Sequence, residues 1–317
     1  MNDKLNIYIG AQPSHEILVK VLSHSIKKYC STRVKVIPLW KSKRANHRMP
    51  NDEWNQPGTS FSFYRFLIPE ENSFKGKALY LDSDMIVFSD IKELFNIDME
   101  KNDVMVANHF KDTGHSSVML IDCEKCKWDI DTIMDDLDAC KYYYPELMRI
   151  DPLINSIGFF SEQWNCLDNY SSDTKLLHYT CMPTQPWLNW DNPVGKYWFR
   201  ALSEAMDHGA ISGTDVYASV ENKYIRPSII DQLRLGEEDS TKLPEETLEK
   251  DVEFIKYCEK NGWNNMEGDY RNSYNIEDDD EAPAVTDGLD AYSQRAAAEE
   301  NHNQLHQLND FLKNLHK

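Results

Sequence analysis

A strand, a helix and a second strand open this chain, and their order constrains the fold more than any other feature of the sequence. The apolar run from Leu5 to Gly10 is typical of a buried strand. From Ser14 to Tyr29 the apolar residues recur at helical spacing, and the segment from Arg33 to Leu39 predicts another strand. Two strands joined through a helix pair in parallel with a right-handed crossover. The sequence therefore predicts an α/β fold with a nucleotide-binding sheet.

Two carboxylates, Asp82 and Asp84, interrupt an apolar stretch of the chain. Ala78 to Leu81 precede them and Met85 to Phe88 follow, so the pair lies where a buried strand reaches the surface. Carboxylates one residue apart at such a position suit a hard divalent cation and a nucleotide diphosphate. Similar pairs occur between Asp129 and Asp138, but that stretch has the spacing of a water-facing helix. Position therefore selects Asp82 and Asp84 as the candidate metal site.

Composition excludes several classes of protein. The net charge of −19 argues against broad binding to nucleic acids or anionic membranes, since either requires a basic surface. No apolar run approaches the length of a transmembrane segment, and Met1 to Lys4 leads into the first strand without a signal-peptide pattern. The seven cysteines are scattered and odd in number, which favours reduced thiols over a disulfide framework. We therefore expect a cytoplasmic protein.

Acidic residues concentrate in the last part of the chain. Residues 236–317 hold 21 of the 53 acidic residues but only 8 of the 34 basic ones. The run from Glu277 to Glu281 offers no apolar surface and repels itself, whereas Leu305 to Leu315 has the spacing of an amphipathic helix. We predict a folded domain over residues 1–235 and an acidic extension over residues 236–317 that is partly helical or disordered. The extension fits either a solvated appendage or an element for partner docking or self-association.

A second polar group follows an apolar strand much further along the chain. His178 ends the run that begins at Leu176, and a loop through Gln185 to Trp187 comes after it. At neutral pH an imidazole can complete an oxygen-rich coordination shell without adding charge. A single histidine at a strand end is more often a structural residue, so its weight comes from the combination with the acidic pair.

These segments together resemble glycosyltransferase family 8, whose members are retaining enzymes of the GT-A fold that use nucleotide sugars. The matching segments run from Ile7 to about Trp187 and include the Phe63-Tyr64-Arg65-Phe66 helix, the Tyr80-Leu81-Asp82-Ser83-Asp84 strand and the loop after His178. The resemblance implies a GT-A-type single mixed, mostly parallel sheet flanked by helices. Together with the change in composition near Gly236, the resemblance predicts a catalytic domain over residues 1–235.

The resemblance also implies roles for particular residues. Asp82, Asp84 and His178 would bind a Mn²⁺ or Mg²⁺ that bridges the diphosphate of the donor, for which a UDP-sugar is the best candidate. The implied donor-binding residues are Ala11, Gln12, Pro13, Arg65, Asp82, Ser83 and Gln185. Arg65 fits a structural salt bridge equally well.

The chain departs from the family pattern at two of these places. The family commonly has Gly and Lys after the histidine, where this chain has Met182-Pro183-Thr184-Gln185. Gln185 brings no charge, so neutralisation of the diphosphate would rest on the metal and on a base such as Arg65, Lys175 or Lys196. Gln12 stands where an acidic residue is common, which leaves the preferred nucleobase open.

The catalytic group is expected between Arg149 and Asn155. The family places an Asp-Gln-Asp-x-x-Asn segment there, and Asp151 falls on or within one residue of the candidate group. Asn155 is the companion candidate for contact with the sugar. A helix N-cap ahead of Pro152 is an equally good interpretation of Asp151.

The function expected from this resemblance is transfer of a hexose from a nucleotide sugar to a saccharide or glycoconjugate acceptor. A nucleotidyltransferase on a similar sheet would need a Gly-rich, basic loop after the first strand, and Ala11 to Glu16 is neither. A third interpretation is a non-catalytic binding protein that keeps the fold. The missing lysine in the loop after His178 gives that third interpretation some support.

Overall fold

The computed structural model of the chain describes residues 4–108, 110–114, 116–261 and 263. Its strands are β1 Leu5–Gly10, β2 Val34–Pro38, β3 Lys77–Asp82, β4 Met85–Val87, β5 Val104–Ala107, β6 Val118–Asp122, β7 Ile157–Phe160, β8 Cys166–Leu167 and β9 Leu176–His178. Its α-helices are α1 Glu16–Tyr29, α2 Ile68–Glu71, α3 Lys92–Phe95, α4 Phe110–Thr113, α5 Ile130–Asp138, α6 Tyr144–Met148, α7 Gly195–Asp207, α8 Gly213–Glu221, α9 Ser228–Leu235 and α10 Glu245–Asn261. Within these ranges no helix is both long and apolar enough to cross a membrane.

Six strands form the main sheet, in the order β2-β1-β3-β6-β5-β7. Strand β1 pairs in parallel with β2 and β3, and β5 pairs in parallel with β7. Only β6 runs the other way, antiparallel to β3 and to β5. The predicted α/β class, with a mixed and mostly parallel sheet flanked by helices, is confirmed. The carboxyl ends of five strands therefore meet at one edge of the sheet, where open α/β sheets bind ligands.

Apolar side chains cover both faces of this sheet. On one face Tyr8 and Tyr80 lie in a buried cluster with Phe63 and Phe66. On the other face the alternate residues of the same strands pack with the inner side of α1, whose buried residues include Leu22 and Ile26. Each fully buried side chain of this kind contributes about 1.5–3 kcal/mol. Burial on both faces explains why these strands are nearly continuous apolar runs in the sequence.

The segment after Asp84 departs from the prediction of a single sheet. Strand β4 leaves the main sheet and joins a second sheet of three strands, in the order β4-β9-β8. Ser83 and Asp84 form the bend between β3 and β4. The carboxylate pair therefore lies at the junction of the two sheets, rather than at the end of one.

The predicted helix around Arg65 is a 3-10 helix, Ser62–Leu67, which continues into α2. Pro69, at the start of α2, has no N–H to donate and is tolerated in the first turn of a helix. Phe63, Arg65 and Phe66 are all buried, so this short segment packs on the sheet along its length.

Residues after position 235 continue the packed region. Helix α10 contacts α9, and its residues Asp251, Phe254 and Ile255 are buried. The first part of the predicted extension, up to Asn261, is therefore packed against the domain that precedes it. The acidic run and the leucine-rich end lie outside the described residues, and so do the partner and self-association roles predicted for them.

Candidate functional site

Asp82 ends β3 beside the end of β1. The strand register sets Gly10 opposite Asp82, so the loops that follow the two strands leave the sheet at the same edge. The hydroxyl of Tyr80 donates a hydrogen bond to Asp82 Oδ1, and Arg65 Nη2 lies 3.7 Å from the same oxygen. The Asp82 side chain is 18% exposed. One side of the carboxylate is thus held by the protein while the other can reach a ligand.

Asp84 and His178 are brought together by the second sheet. Strands β4 and β9 pair antiparallel with Met85 opposite His178, and the Tyr179 N–H donates to the Asp84 carbonyl over 2.9 Å. His178 Nε2 lies 3.2 Å from Asp84 Oδ1. One potential ligand atom from each of Asp82, Asp84 and His178 lies within 4.8 Å of the others. Three side chains distant in sequence therefore form one compact cluster.

This cluster fits a divalent cation. Asp84 Oδ1 is buried beside His178 Nε2, and its burial is costly unless that ring carries a proton or a cation is bound there. Burial lowers the pKa of the His178 imidazole, but the charges of Asp84 and the nearby carboxylates outweigh burial and raise the pKa above 6.5. The same negative field that favours a proton on the ring attracts a metal ion. Two carboxylate oxygens and one imidazole nitrogen form a donor set suited to Mn²⁺ or Mg²⁺.

Asn165 orients the imidazole of His178 and was not predicted from the sequence. Its Oδ1 lies 2.9 Å from His178 Nδ1, and Asn165 is buried. Metal-binding histidines usually use their second nitrogen in this way, which fixes the ring and leaves the first nitrogen for the metal. The only signal in the sequence is an amide within the run Trp164 to Leu167, where its neighbours are apolar or thiol side chains.

Gln185 contacts Asp84 directly. Its Nε2 donates to Asp84 Oδ2 over 3.2 Å and to the Tyr179 carbonyl over 2.8 Å, and the residue is buried. Both protons of its amide nitrogen are therefore used by the protein. In the structure Gln185 therefore holds Asp84 in place. The sequence predicted a contact with the donor for this residue.

Arg65 is a buried cation beside Asp82. Its side chain lies over the Tyr80 ring, with Cζ 4.8 Å from the ring centroid, and Nη1 donates to Ser116 Oγ over 2.7 Å. Burial lowers the pKa of Arg65, but Tyr80 and Asp82 outweigh burial and raise it. Lys175, the second base considered, is paired with Glu93. Lys196, the third, lies 5.3 Å from the Tyr197 ring centroid on α7.

The predicted donor loop leaves β1 at the same edge. Ala11 and Gln12 are buried and Pro13 is exposed, and Gln12 Oε1 accepts a hydrogen bond from Ser60 over 3.0 Å. Because Gly10 is opposite Asp82, these three residues lie next to the acidic pair.

His15 connects this loop to the residue between the two carboxylates. Its Nδ1 lies 3.3 Å from the Ser83 hydroxyl, and both residues are buried. Burial lowers the pKa of His15 to about 4, so the ring is neutral at physiological pH. His15 was not among the predicted residues, and a histidine in the turn before α1 was the only available signal.

The two predicted catalytic residues, Asp151 and Asn155, lie in different parts of the fold from each other. Asp151 begins a 3-10 helix, and its Oδ2 lies 3.4 Å from Arg149 Nε on an exposed surface. Asn155 donates from its backbone N–H and from Nδ2 to Asp103 Oδ2, at 2.8 Å and 3.2 Å. Asp103 precedes β5, at the edge of the sheet opposite to Asp82. The structure therefore does not bring Asn155 to the metal cluster.

A wide cleft lies at the carboxyl ends of β5 and β7. It has a volume of about 390 Å³ and is lined by Asn108, Phe159, Phe160, Ser161 and Glu162. In the sheet order β6 and β5 follow β3, so the cleft is two to three strands away from Asp82 on the same edge. With strands about 4.8 Å apart, this separation is about 10–15 Å. The cleft combines an aromatic ring with an amide, a hydroxyl and a carboxylate.

Comparison with known proteins shows that part of this chain is similar to one family. Residues 2–134 match the model of Glycosyl transferase family 8. Protein CDI of Arabidopsis thaliana is 33% identical over 107 residues, which cover 32% of this chain and 40% of that relative. The match thus spans about two fifths of the length of the curated relative.

Solved structures of glycosyltransferases are similar at low identity. The apo structure of the bifunctional glycosyltransferase WbbM has a TM-score of 0.49 and 13% identity, over 66% of this chain and 51% of that one. The galactosyltransferase LgtC in complex with donor and acceptor sugar analogs has a TM-score of 0.48 and 14% identity, over 65% of this chain and 100% of that one. The family match itself includes Arg65, Asp82 and Asp84, whereas His178 lies beyond it. Over residues 2–134, about two fifths of its length, this chain is therefore similar to glycosyl transferase family 8.

Proposed function

We propose that this protein is a metal-dependent, retaining glycosyltransferase. It would transfer a hexose from a nucleotide sugar, with a UDP-sugar as the favoured donor, to a hydroxyl of a saccharide or glycoconjugate. One observation carries the proposal: Asp82, Asp84 and His178 have potential ligand atoms within 4.8 Å of one another, at the edge where the family 8 segment ends its parallel strands. The family match supports the reaction class, and the cluster supports the dependence on metal.

Asp82, Asp84 and His178 would hold a Mn²⁺ or Mg²⁺. When bound, the cation supplies positive charge to the diphosphate as it leaves the sugar. The three side chains position this charge, and Asn165 and Gln185 hold two of them in place. Preorganised charge of this kind is usually the largest contribution to catalysis of a step in which negative charge develops.

The other donor contacts would come from the end of β1 and from Ser83. Ala11, Gln12 and Pro13 leave the sheet beside Asp82, so they would contact the nucleoside when the diphosphate is at the cluster. Arg65 provides a fixed positive charge 3.7 Å from Asp82. In the absence of a lysine after His178, Arg65 would offset part of the carboxylate charge and orient Asp82.

The acceptor would bind in the cleft beside Asn108 and Glu162. It lies on the same edge as the donor, and its mixture of an aromatic ring and polar groups suits a saccharide. Retention requires a nucleophile on the face opposite the leaving group or attack within a tight ion pair. Asp151 is the carboxylate that we propose for this role, since it is exposed and has Arg149 as its ion-pair partner. Asn155 has no place in the proposal, because Asp103 holds it at the opposite edge.

A calorimetric titration of UDP with and without Mn²⁺ tests the proposal. We expect binding that requires the metal and that is lost in Asp84→Ala. Asp131→Ala is the matched control, since Asp131 also belongs to an Asp-x-Asp pair but lies exposed on α5. A screen for hydrolysis of UDP- and GDP-sugars then identifies the donor. UDP binding that is independent of metal, or unchanged in Asp84→Ala, would contradict the mechanism.

A cytoplasmic location is part of the same proposal. All seven cysteines are free thiols in the structure, and Cys123, Cys126 and Cys258 are buried. Free thiols persist where glutathione and thioredoxin keep proteins reduced. Fractionation of cells that express the chain, followed by thiol labelling of the soluble fraction, checks the proposal.

A further inference from the structure

Arg226 is a fully buried cation on the far side of the loop that carries Gln185. Its side chain is 2% exposed. Its Nε donates to the Pro186 carbonyl over 2.9 Å, and its backbone N–H donates to the Trp187 carbonyl over 2.7 Å. Arg226 therefore holds two consecutive carbonyls of this loop, directly after Gln185.

The counter-charge of Arg226 comes from α10. Asp251 is completely buried, and its Oδ2 lies 3.5 Å from Arg226 Nη1. The Ser228 N–H donates to Asp251 Oδ1 over 2.9 Å, and Ser228 Oγ bridges the two charged groups through short hydrogen bonds. Arg226 Nη2 donates to Gln232 Oε1 over 2.5 Å. Each nitrogen of the guanidinium thus has a partner in the loop, in α9 or in α10.

Two routes connect this pair to Asp84. Gln185, next to Pro186, donates from its side chain to Asp84 Oδ2. Trp187 packs edge-on against Tyr179, with ring centroids 5.8 Å apart, and the Tyr179 N–H donates to the Asp84 carbonyl. A shift of the loop would therefore displace both the side chain and the backbone contacts of Asp84.

We propose that Arg226 and Asp251 are positioning residues for the metal cluster, which act through Gln185 and Trp187 on Asp84. The inference rests on the proposed function, because it assigns the buried pair to the same metal site. A buried ion pair adds little net stability compared with apolar residues of similar volume. Its fixed hydrogen-bond geometry, however, determines where the Pro186 carbonyl lies. Helix α10, which the sequence places in an acidic extension, would then be part of the support of the site.

Two variants of the full chain test the proposal. Asp251→Asn keeps the shape of the side chain but leaves the guanidinium without a counter-charge, which also threatens folding. The double variant Arg226→Met/Asp251→Leu removes both charges and can stay folded while it loses the side-chain bond to the Pro186 carbonyl. In each folded variant we expect about tenfold weaker binding of Mn²⁺, measured by calorimetry with the metal alone, as for loss of a residue that orients metal ligands.

Asp103→Asn is the matched control, because Asp103 is a buried carboxylate at the opposite edge of the sheet. It should lower the melting temperature and leave the affinity for Mn²⁺ unchanged. Folded Arg226 or Asp251 variants that bind Mn²⁺ as tightly as the wild type would overturn the inference. A wild-type chain that binds neither Mn²⁺ nor UDP would instead contradict the proposed function, so the two failures are distinguishable.

Hydrogen exchange on the wild-type chain gives a test without mutation. If the network couples α10 to the cluster, Mn²⁺ with UDP should slow exchange of the Ser228 amide and of amides in α10. Amides near Asp103 serve as the reference, and they should change less. Slower exchange confined to the loop 182–187 would overturn the inference, whether or not the variants fold.

Discussion

Asn165 and His178 are joined by a contact of 2.9 Å between the amide oxygen Oδ1 and the ring nitrogen Nδ1. An amide oxygen can only accept, so Nδ1 carries the proton in this contact. Nε2, 3.2 Å from Asp84 Oδ1, is then left either for the proton that the carboxylates favour or for a metal ion that replaces this proton. The tautomer that a metal site needs is thus set by a residue outside the predicted group.

Replacement of Asn165 by alanine should weaken the binding of Mn²⁺ by about 10–100-fold, because the ring of His178 loses its orientation. Asn165→Asp is the control, since it keeps an oxygen that accepts from Nδ1, and it should retain most of the affinity. Calorimetry with MnCl₂ measures both. Equal affinity in the alanine variant and the wild type would show that His178 is held by other contacts.

Gly10→Ala should disturb Asp82 from the neighbouring strand. A Cβ at Gly10 would lie 2.1 Å from the Tyr80 hydroxyl oxygen, and this hydroxyl donates to Asp82. The ring has to move, at a cost of about 1–3 kcal/mol in the free energy of unfolding. Urea unfolding measures the cost, and calorimetry should show weaker binding of Mn²⁺.

The Tyr80→Phe background gives the control for this clash. The contact to the hydroxyl disappears there, while ring carbons 2.8 Å and 2.9 Å from the new Cβ remain. Gly10→Ala should therefore lower the free energy of unfolding by less in Tyr80→Phe than in the wild type, but it should still lower it. An equal cost in both backgrounds would show that the hydroxyl does not limit the space at Gly10.

Arg65→Lys should weaken both the fold and the binding of UDP, although the charge is kept. Lysine lacks the planar fork that reaches Ser62 and Ser116 together. Loss of hydrogen bonds to a buried charged group costs about 1.5–3 kcal/mol each in stability. Arg48→Lys is the control on an exposed pair with Asp135, where a change below about 1 kcal/mol is expected. Urea unfolding and titration of UDP in the presence of Mn²⁺ measure the two effects. A stability and a UDP affinity equal to those of the wild type would contradict this prediction.

Asp215 should contribute stability that is lost only in strong acid. Its hydrogen bonds with Lys20 and Ser212 lower its pKa from 3.8 to about 2. Between these two values the unfolded chain binds more protons at this group, so the contribution is complete above about pH 4 and disappears as the pH falls towards 2. The difference in free energy of unfolding between the wild type and Asp215→Asn should follow this curve. Urea unfolding at several pH values measures it, and a difference that stays constant down to pH 3 would refute the assignment.

The fold was largely predictable from local patterns. The opening strands and helix, and the strand that ends in Asp82, follow from apolar periodicity, which reports burial directly. The second sheet was not predicted, because β4 and β9 are three residues each and pair across a long stretch of chain. Such short strands carry no periodicity of their own.

The site was predictable where its residues lie at strand ends and in a recognisable motif. Asp82, Asp84 and His178 are of this kind, and the structure brings them together. Asn165, Arg226 and Asp251 make hydrogen bonds that depend on tertiary placement, so no spacing in the sequence reveals them. Asn155 is the opposite case. A motif match assigned it to the site, but its hydrogen bond to Asp103 and the register of β5 place it at the far edge of the sheet.

The pairing of Met85 with His178 has a consequence for how this chain can vary. The distance between Asp84 and His178 is fixed by the register of β4 and β9, and a slip of one residue would turn His178 to the other face of the small sheet. The length of the chain between the two strands does not affect this distance. Loops between residues 88 and 161, which do not include Asn165, can therefore lengthen or shorten without a change in this register. Under the proposed function, relatives of this protein could acquire new acceptors in this way around an unchanged centre.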